Sequence, residues 1–143
     1  MKKAQIAILV ILLLIIVPVG IKLFLDMKTY SATDILNDAT FNTENASIDI
    51  ERIERKTEKE YITVEVSKET EKEIIKAFEE AGFKKTDKIA DTSYDYHITF
   101  NLDKSYPMFL DSSKNYLVLT DTAKAYFIED NSDFSKILKE IKE

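Results

Sequence analysis

The chain contains no cysteine among its 143 residues. Disulfide bridges, thiolate metal centres and cysteine nucleophiles are thereby excluded. So is the lipidated cysteine that holds a bacterial lipoprotein. Glycine occurs only at Gly20 and Gly82, and proline only at Pro18 and Pro107. A glycine-rich phosphate loop and a G-x-S-x-G nucleophile elbow both need more glycine than this. Tryptophan is absent, and His97 is the only histidine. A serine hydrolase would have to rest on that one imidazole, and a zinc site usually draws on several nitrogen or sulfur ligands. The sequence therefore predicts no enzyme and no cofactor.

Basic residues are outnumbered as well. Lys and Arg total 20 against 26 Asp and Glu, for a net charge of −6. Lys2, Lys3 and Lys22 belong to the N-terminal stretch, which has no acid, so the chain beyond residue 25 carries −9. Nucleic-acid binding needs clustered cations to neutralise phosphate, and this balance argues against it. It also argues against the soluble part lying flat on an anionic lipid surface. A cationic peptide or a basic protein surface is the better electrostatic match.

What the chain has in excess is one apolar run. Residues 6–21 carry no charge, and the segment 4–25 adds only Gln5 and Lys22 as polar groups. At about 1.5 Å per helical residue this covers the roughly 30 Å of bilayer hydrocarbon. Lys22, near its end, can snorkel to the headgroups. The competing interpretation is a cleaved signal peptide. A cut after Gly20 places Pro18 where a small residue is required, and the run is long for such a segment. A membrane anchor is preferred. Lys2 and Lys3 lie directly before the run, so the positive-inside rule puts the N-terminus in the cytoplasm and the remainder outside the cell membrane.

Beyond the anchor the pattern alternates between helix and strand. A juxtamembrane helix is expected over 29–39, with Ser31 as N-cap and Asp34 closing a capping box, followed by a polar loop over 37–46. Ile48 and Ile50, continuing towards Ile53, mark one strand. Ile62, Val64 and Val66 mark a second, with the charged segment 54–60 as the turn. The stretch 67–81 is the best soluble helix, capped by Ser67, with Ile74, Ile75, Phe78 and Ala81 as its apolar stripe. Gly82 stands where a left-handed residue commonly ends a helix. A meander follows: a short strand over 83–89, then Tyr94, Tyr96, Ile98, Phe100 and Leu102 alternating with Asp95, His97, Thr99 and Asn101. Strands at 106–110, Tyr116–Leu119 and Ala125–Ile128 come next. Phe134, Ile137, Leu138 and Ile141 give a closing helix from about Ser132.

Short turns between successive strands imply antiparallel pairing. The expected fold is α+β: a transmembrane helix, then a small antiparallel sheet of about five to seven strands with helices packed on one face. The other face is expected to be polar and solvent-exposed. The expected organisation is an anchor over 1–27, a juxtamembrane helix and loop over 28–46, and an extracytoplasmic domain over 47–143.

Two sets of residues stand out as partner contacts. Tyrosine offers a large apolar area with a polar tip, and five of the seven tyrosines lie between Tyr94 and Tyr126. The plainer expectation is that these tyrosines pack inward or fill sheet edges; as a contact surface for a peptide or protein, Tyr106, Tyr116 and Tyr126, on a sheet face or edge, are the best candidates. Asp95, His97 and Thr99 share one strand face and form the second set. One imidazole beside one carboxylate is a poor metal site, so no metal is expected there.

The Lys-rich start, the apolar run, the stretch Tyr30-Ser-Ala-Thr-Asp-Ile-Leu-Asn37 and the Tyr- and Lys-rich meander closing on a short helix form one layout. It resembles small membrane-anchored extracytoplasmic domains of low-GC Gram-positive bacteria. That resemblance carries no catalytic motif. It implies a single-pass membrane protein with an outward, non-enzymatic accessory or binding domain, suited to sensing or to self-protection against a secreted toxin. The alternative is an accessory subunit of a membrane complex that works through its transmembrane helix.

Overall fold

A computed structural model of the chain describes residues 3–42, 44–87, 93–130 and 132–141. Lys2, used above for orientation, and Ile89, at the end of one expected strand, lie outside them. Helix α1 (Lys3–Met27) runs for 25 residues, includes Pro18 and buries no side chain against the rest of the protein. It is the one described helix long and apolar enough to cross a membrane.

The rest of the chain is an α+β domain. Helices α2 (Ala32–Ile35), α3 (Lys68–Glu79) and α4 (Asp133–Ile141) accompany seven strands: β1 (Ser47–Arg55), β2 (Lys59–Thr63), β3 (Phe83–Thr86), β4 (Tyr96–Asn101), β5 (Ser105–Asp111), β6 (Tyr116–Leu119) and β7 (Ala125–Ile128). They form one sheet in the order β2-β1-β4-β5-β6-β7-β3. Every neighbouring pair is antiparallel. Four antiparallel steps separate β3 from β4, so these two strands run parallel.

The inner face of the sheet meets the helices. Phe78 of α3 lies at the centre, 4.4 Å from Phe100, 5.0 Å from Phe134 and 5.1 Å from Phe83 between ring centroids. Ile50, Ile98, Met108, Leu110 and Leu117 fill the sheet side of the same core. Burial on β4 alternates strictly, with Tyr96, Ile98 and Phe100 inward, as period-two patterning dictates. The N-terminus of α3 is tied to β1 through Glu71. Its carboxylate accepts the Ile48 N–H and a Lys68 ammonium hydrogen, each at 2.8 Å. Burial pushes the Glu71 carboxyl up, but the Lys68 ammonium and the Ile48 N–H outweigh it and hold the group below its ordinary 4.5.

Several local expectations are revised. The capping box is present: Ser31 Oγ accepts the Asp34 N–H and Asp34 accepts the Ser31 N–H. The helix, however, covers only Ala32–Ile35. Upstream, Tyr30 is taken by the sheet; downstream, Asn37 and Asp38 adopt left-handed φ of 52° and 63°. Ala32, Ile35, Leu36, Ala39 and Phe41 are all buried, so segment 28–46 belongs to the same core as the sheet. The turn between β1 and β2 is shorter than 54–60, because Glu54 and Arg55 pair with Glu60 and Lys59. The second strand therefore begins before Ile62 and ends at Thr63, although Val64 N–H still donates to Ile50 O at 2.8 Å. Gly82 is not left-handed; no described glycine has positive φ. Its place is explained by a close approach. A Cβ there would collide with the Glu129 carboxylate and come within 3.0 Å of Thr29 Cγ2.

Candidate functional site

The register places one row across all seven strands on the face opposite the helices: Thr63, Glu51, His97, Phe109, Val118, Ala125 and Thr86. The adjoining row carries Tyr61 and Ile53 at one side and Tyr116, Phe127 and Lys84 at the other. This outer face is expected to be polar, and part of it is. Asp49, Thr99 and Asn101 lie there, with Asn101 Nδ2 donating to Asp49 at 2.7 Å. The rest is aromatic. Centroids run from Tyr61 to His97 (6.2 Å), to Phe109 (4.9 Å), to Tyr94 (5.5 Å), to Tyr116 (6.4 Å) and to Phe127 (5.4 Å). Tyr61 and Phe127, at the two ends, are 44% and 40% exposed.

Charge is organised around the β2 end of this row. His97 Nδ1 lies 2.8 Å from Glu51 Oε2, and the rings of Tyr61 and Phe109 flank the imidazole. The Lys59 ammonium lies 5.5 Å from the centroids of both rings, within cation–π range. A histidine held by one carboxylate between two rings is an oriented hydrogen-bonding group. Among the described residues no group of three or more His, Asp or Glu is placed to hold a metal ion.

The residues expected to meet a partner are distributed differently. Tyr106 and Tyr126 point into the core and are each 4% exposed. Tyr106 donates its hydroxyl to Asp103 at 2.9 Å; burial first, then that carboxylate, pushes its ionisation up to about 12. Asp103 also accepts the Thr40 N–H at 3.1 Å, pinning the segment after α2 to the β4–β5 turn. Tyr126 packs edge-on to Tyr30, and burial raises its hydroxyl's ionisation. Tyr116 does lie on the outer face but is fully buried, stacked against Tyr94 and edge-on to Phe127. None of the three offers appreciable surface. Of the second set, His97 and Thr99 share the outer face. Asp95 instead accepts both the N–H and the hydroxyl of Ser112, which fixes the β5–β6 turn.

The aromatic residues that leave surface on this face, the exposed Tyr61 and Phe127 and the half-buried Phe109, are absent from the sequence-derived set. The signal for two of them was present. On β5, Phe109 stands between the inward Met108 and Leu110; on β7, Phe127 stands between Tyr126 and Ile128. An apolar residue on both parities of an antiparallel strand marks a second apolar face.

No protein-family model, curated protein or solved structure matches the chain. The class defined by the fold is accordingly coarse: a seven-stranded antiparallel α+β domain joined to one apolar helix of membrane-spanning length.

Proposed function

We propose that the chain is a membrane-anchored, non-enzymatic binding module whose domain lies outside the cytoplasm and takes up a peptide or protein partner on the helix-free face of the sheet. The observation that supports this most is the half-exposed cluster of Tyr61, His97 and Phe109 beside Glu51 and Asp49. Rings with polar edges supply contact area at small entropic cost, and such residues dominate binding hot spots. Two carboxylates next to them favour a partner carrying Lys or Arg, in keeping with the −9 carried by the chain beyond residue 25. Anchoring confines the module near a membrane or secreted target and raises its effective concentration. Sensing and self-protection both use such an arrangement.

In-cell photo-crosslinking tests it, with the reactive group placed at position 61 or 109 and, as a control, at Glu69 on the far side of the molecule. The expected result is one dominant adduct from 61 and 109 that is absent from 69, with the C-terminus removed by protease added to intact cells. A protected C-terminus would reject the outward orientation. Equal adducts from all three positions would reject the face.

A second reading, an accessory subunit acting through α1, is favoured by the short link between Met27 and Tyr30, which leaves little slack between helix and sheet. Exchange of residues 4–25 for an unrelated span separates the two: the binding module keeps its partner, and the subunit loses it.

A further inference from the structure

We propose that the β3 edge of the domain sits in the phospholipid headgroup layer and that the cleft beside it receives a zwitterionic headgroup. This rests on the membrane reading of α1 and adds to it a docked orientation. The inference starts from chain length. Helix α1 ends at Met27, and Tyr30 is already in the sheet: its N–H donates to Phe83 O at 2.7 Å, and its carbonyl accepts the Phe83 N–H at 2.9 Å. Only Lys28 and Thr29 lie between. At 3.3–3.6 Å per extended residue, Tyr30 cannot be farther than about 10 Å from Met27. With 4–25 filling the hydrocarbon, that distance is comparable with the headgroup layer itself, which adds roughly 5–7 Å on each side of the roughly 30 Å core.

The junction is packed as well as short. Thr29 Oγ1 donates to Glu129 at 3.3 Å, Tyr30 stacks edge-on to Tyr126 at 6.2 Å, and the Lys28 ammonium lies 4.6 Å over the Tyr30 ring. Gly82 leaves room for the Glu129 carboxylate where any side chain would displace it. The domain is thus held by its β3 edge and has no stalk on which to swing free.

The chemistry of that edge suits headgroups better than the remainder of the surface does. A cleft of about 570 Å³ opens there, lined by Lys84, Lys114, Phe127, Ile128, Glu129 and Asp130. Lys84 is exposed on β3 directly opposite Phe127. Lys114 lies 3.8 Å from Asp111, and Asp130 accepts Asn115 Nδ2 at 2.5 Å. Two cations and two carboxylates balance. A phosphodiester bearing its own ammonium group meets both signs, with phosphate at Lys84 and ammonium at Glu129 and Asp130. The exposed ring of Phe127 is the kind of group that settles at a membrane interface. A purely anionic lipid would be repelled by the same two carboxylates.

The absence of cysteine makes the test direct. Full-length chains bearing one new cysteine, F127C, K84C or Y61C, are labelled with a fluorophore and reconstituted in bilayer discs containing a headgroup-quencher lipid. Tyr61 lies on the opposite edge strand, six strand spacings or about 29 Å away. The expected result is strong quenching at 127 and 84, none above background at 61, and the same pattern in wholly zwitterionic and in partly anionic discs. In chains labelled at 127, Lys84→Glu lowers the quenching. Quenching that needs anionic lipid would overturn the zwitterionic assignment. Equal, weak quenching at all three sites in chains that co-purify with the discs would overturn the docked edge while leaving the anchor intact. Chains that fail to co-purify would remove the membrane reading itself.

Discussion

Phe100 and Phe109 lie on adjacent strands of the same sheet, on opposite faces, in different company. Phe100 is fully buried beneath Phe78 of α3 and Phe134 of α4. Phe109 is half-buried between His97 and Tyr94, with a lysine above and, among the described residues, no helix over it. The inner face spends its aromatic residues on packing. The outer face keeps polar edges and charges among its rings, and it stays accessible at Tyr61 and Phe127. One sheet thus carries a helix-covered face and an open aromatic face, and the difference between them is measurable.

The largest expected effect separates the two faces directly. Phe100→Ala leaves a cavity in the core and costs about 3–5 kcal/mol. Phe109→Ala removes a half-buried ring and costs about 1–2 kcal/mol. Urea unfolding of the two variants reads the gap, and equal losses would mean that both faces are core. Glu71 is next. Glu71→Ala leaves the buried Ile48 N–H without an acceptor, at about 1–3 kcal/mol. Its lowered ionisation adds a pH signature. The contribution of the charged form is complete above its ordinary 4.5 and is lost as pH falls through the lower folded-state value. Glu71→Gln, which keeps an acceptor but cannot titrate, is expected to flatten the acid limb of a stability–pH profile. The smallest effect concerns Tyr96. It is 1% exposed, and its hydroxyl has no hydrogen-bond partner among the described residues. Burial, then the Asp95 charge, raises its ionisation. Tyr96→Phe is expected to leave thermal stability unchanged or raised by up to about 1 kcal/mol. A clear loss would show that the hydroxyl is engaged.

Much of the fold was legible. The long apolar helix, the α3 stripe, both serine caps and the β4 alternation follow from rules that act within a few residues. Where the expectations failed, a distant partner decided. Ile53 continues the apolar pattern of Ile48 and Ile50, but it falls on the other parity and therefore faces outward, opposite Tyr61. Gly82 reads as a helix terminator, yet the need for it comes from Thr29 and Glu129, far off in sequence. Tyr106, Tyr116 and Tyr126 look like surface tyrosines in a polar, Lys-rich stretch. Two fall on the inward parity of their strands, and the third is covered by Tyr94, two residues before β4.

By itself the sequence determined an apolar helix of membrane-spanning length, an acidic α+β domain behind it, and a chemistry without thiol or glycine-rich loop. These depend on composition and on periodicities of 3.6 and 2, which are local. Only the tertiary structure decided the strand order, the pinning of Tyr30 to the β3 edge, and which aromatic residues stay exposed. Those depend on which strands become neighbours and on what lies over each face. Both are set by contacts between residues tens of positions apart, and no local pattern encodes them.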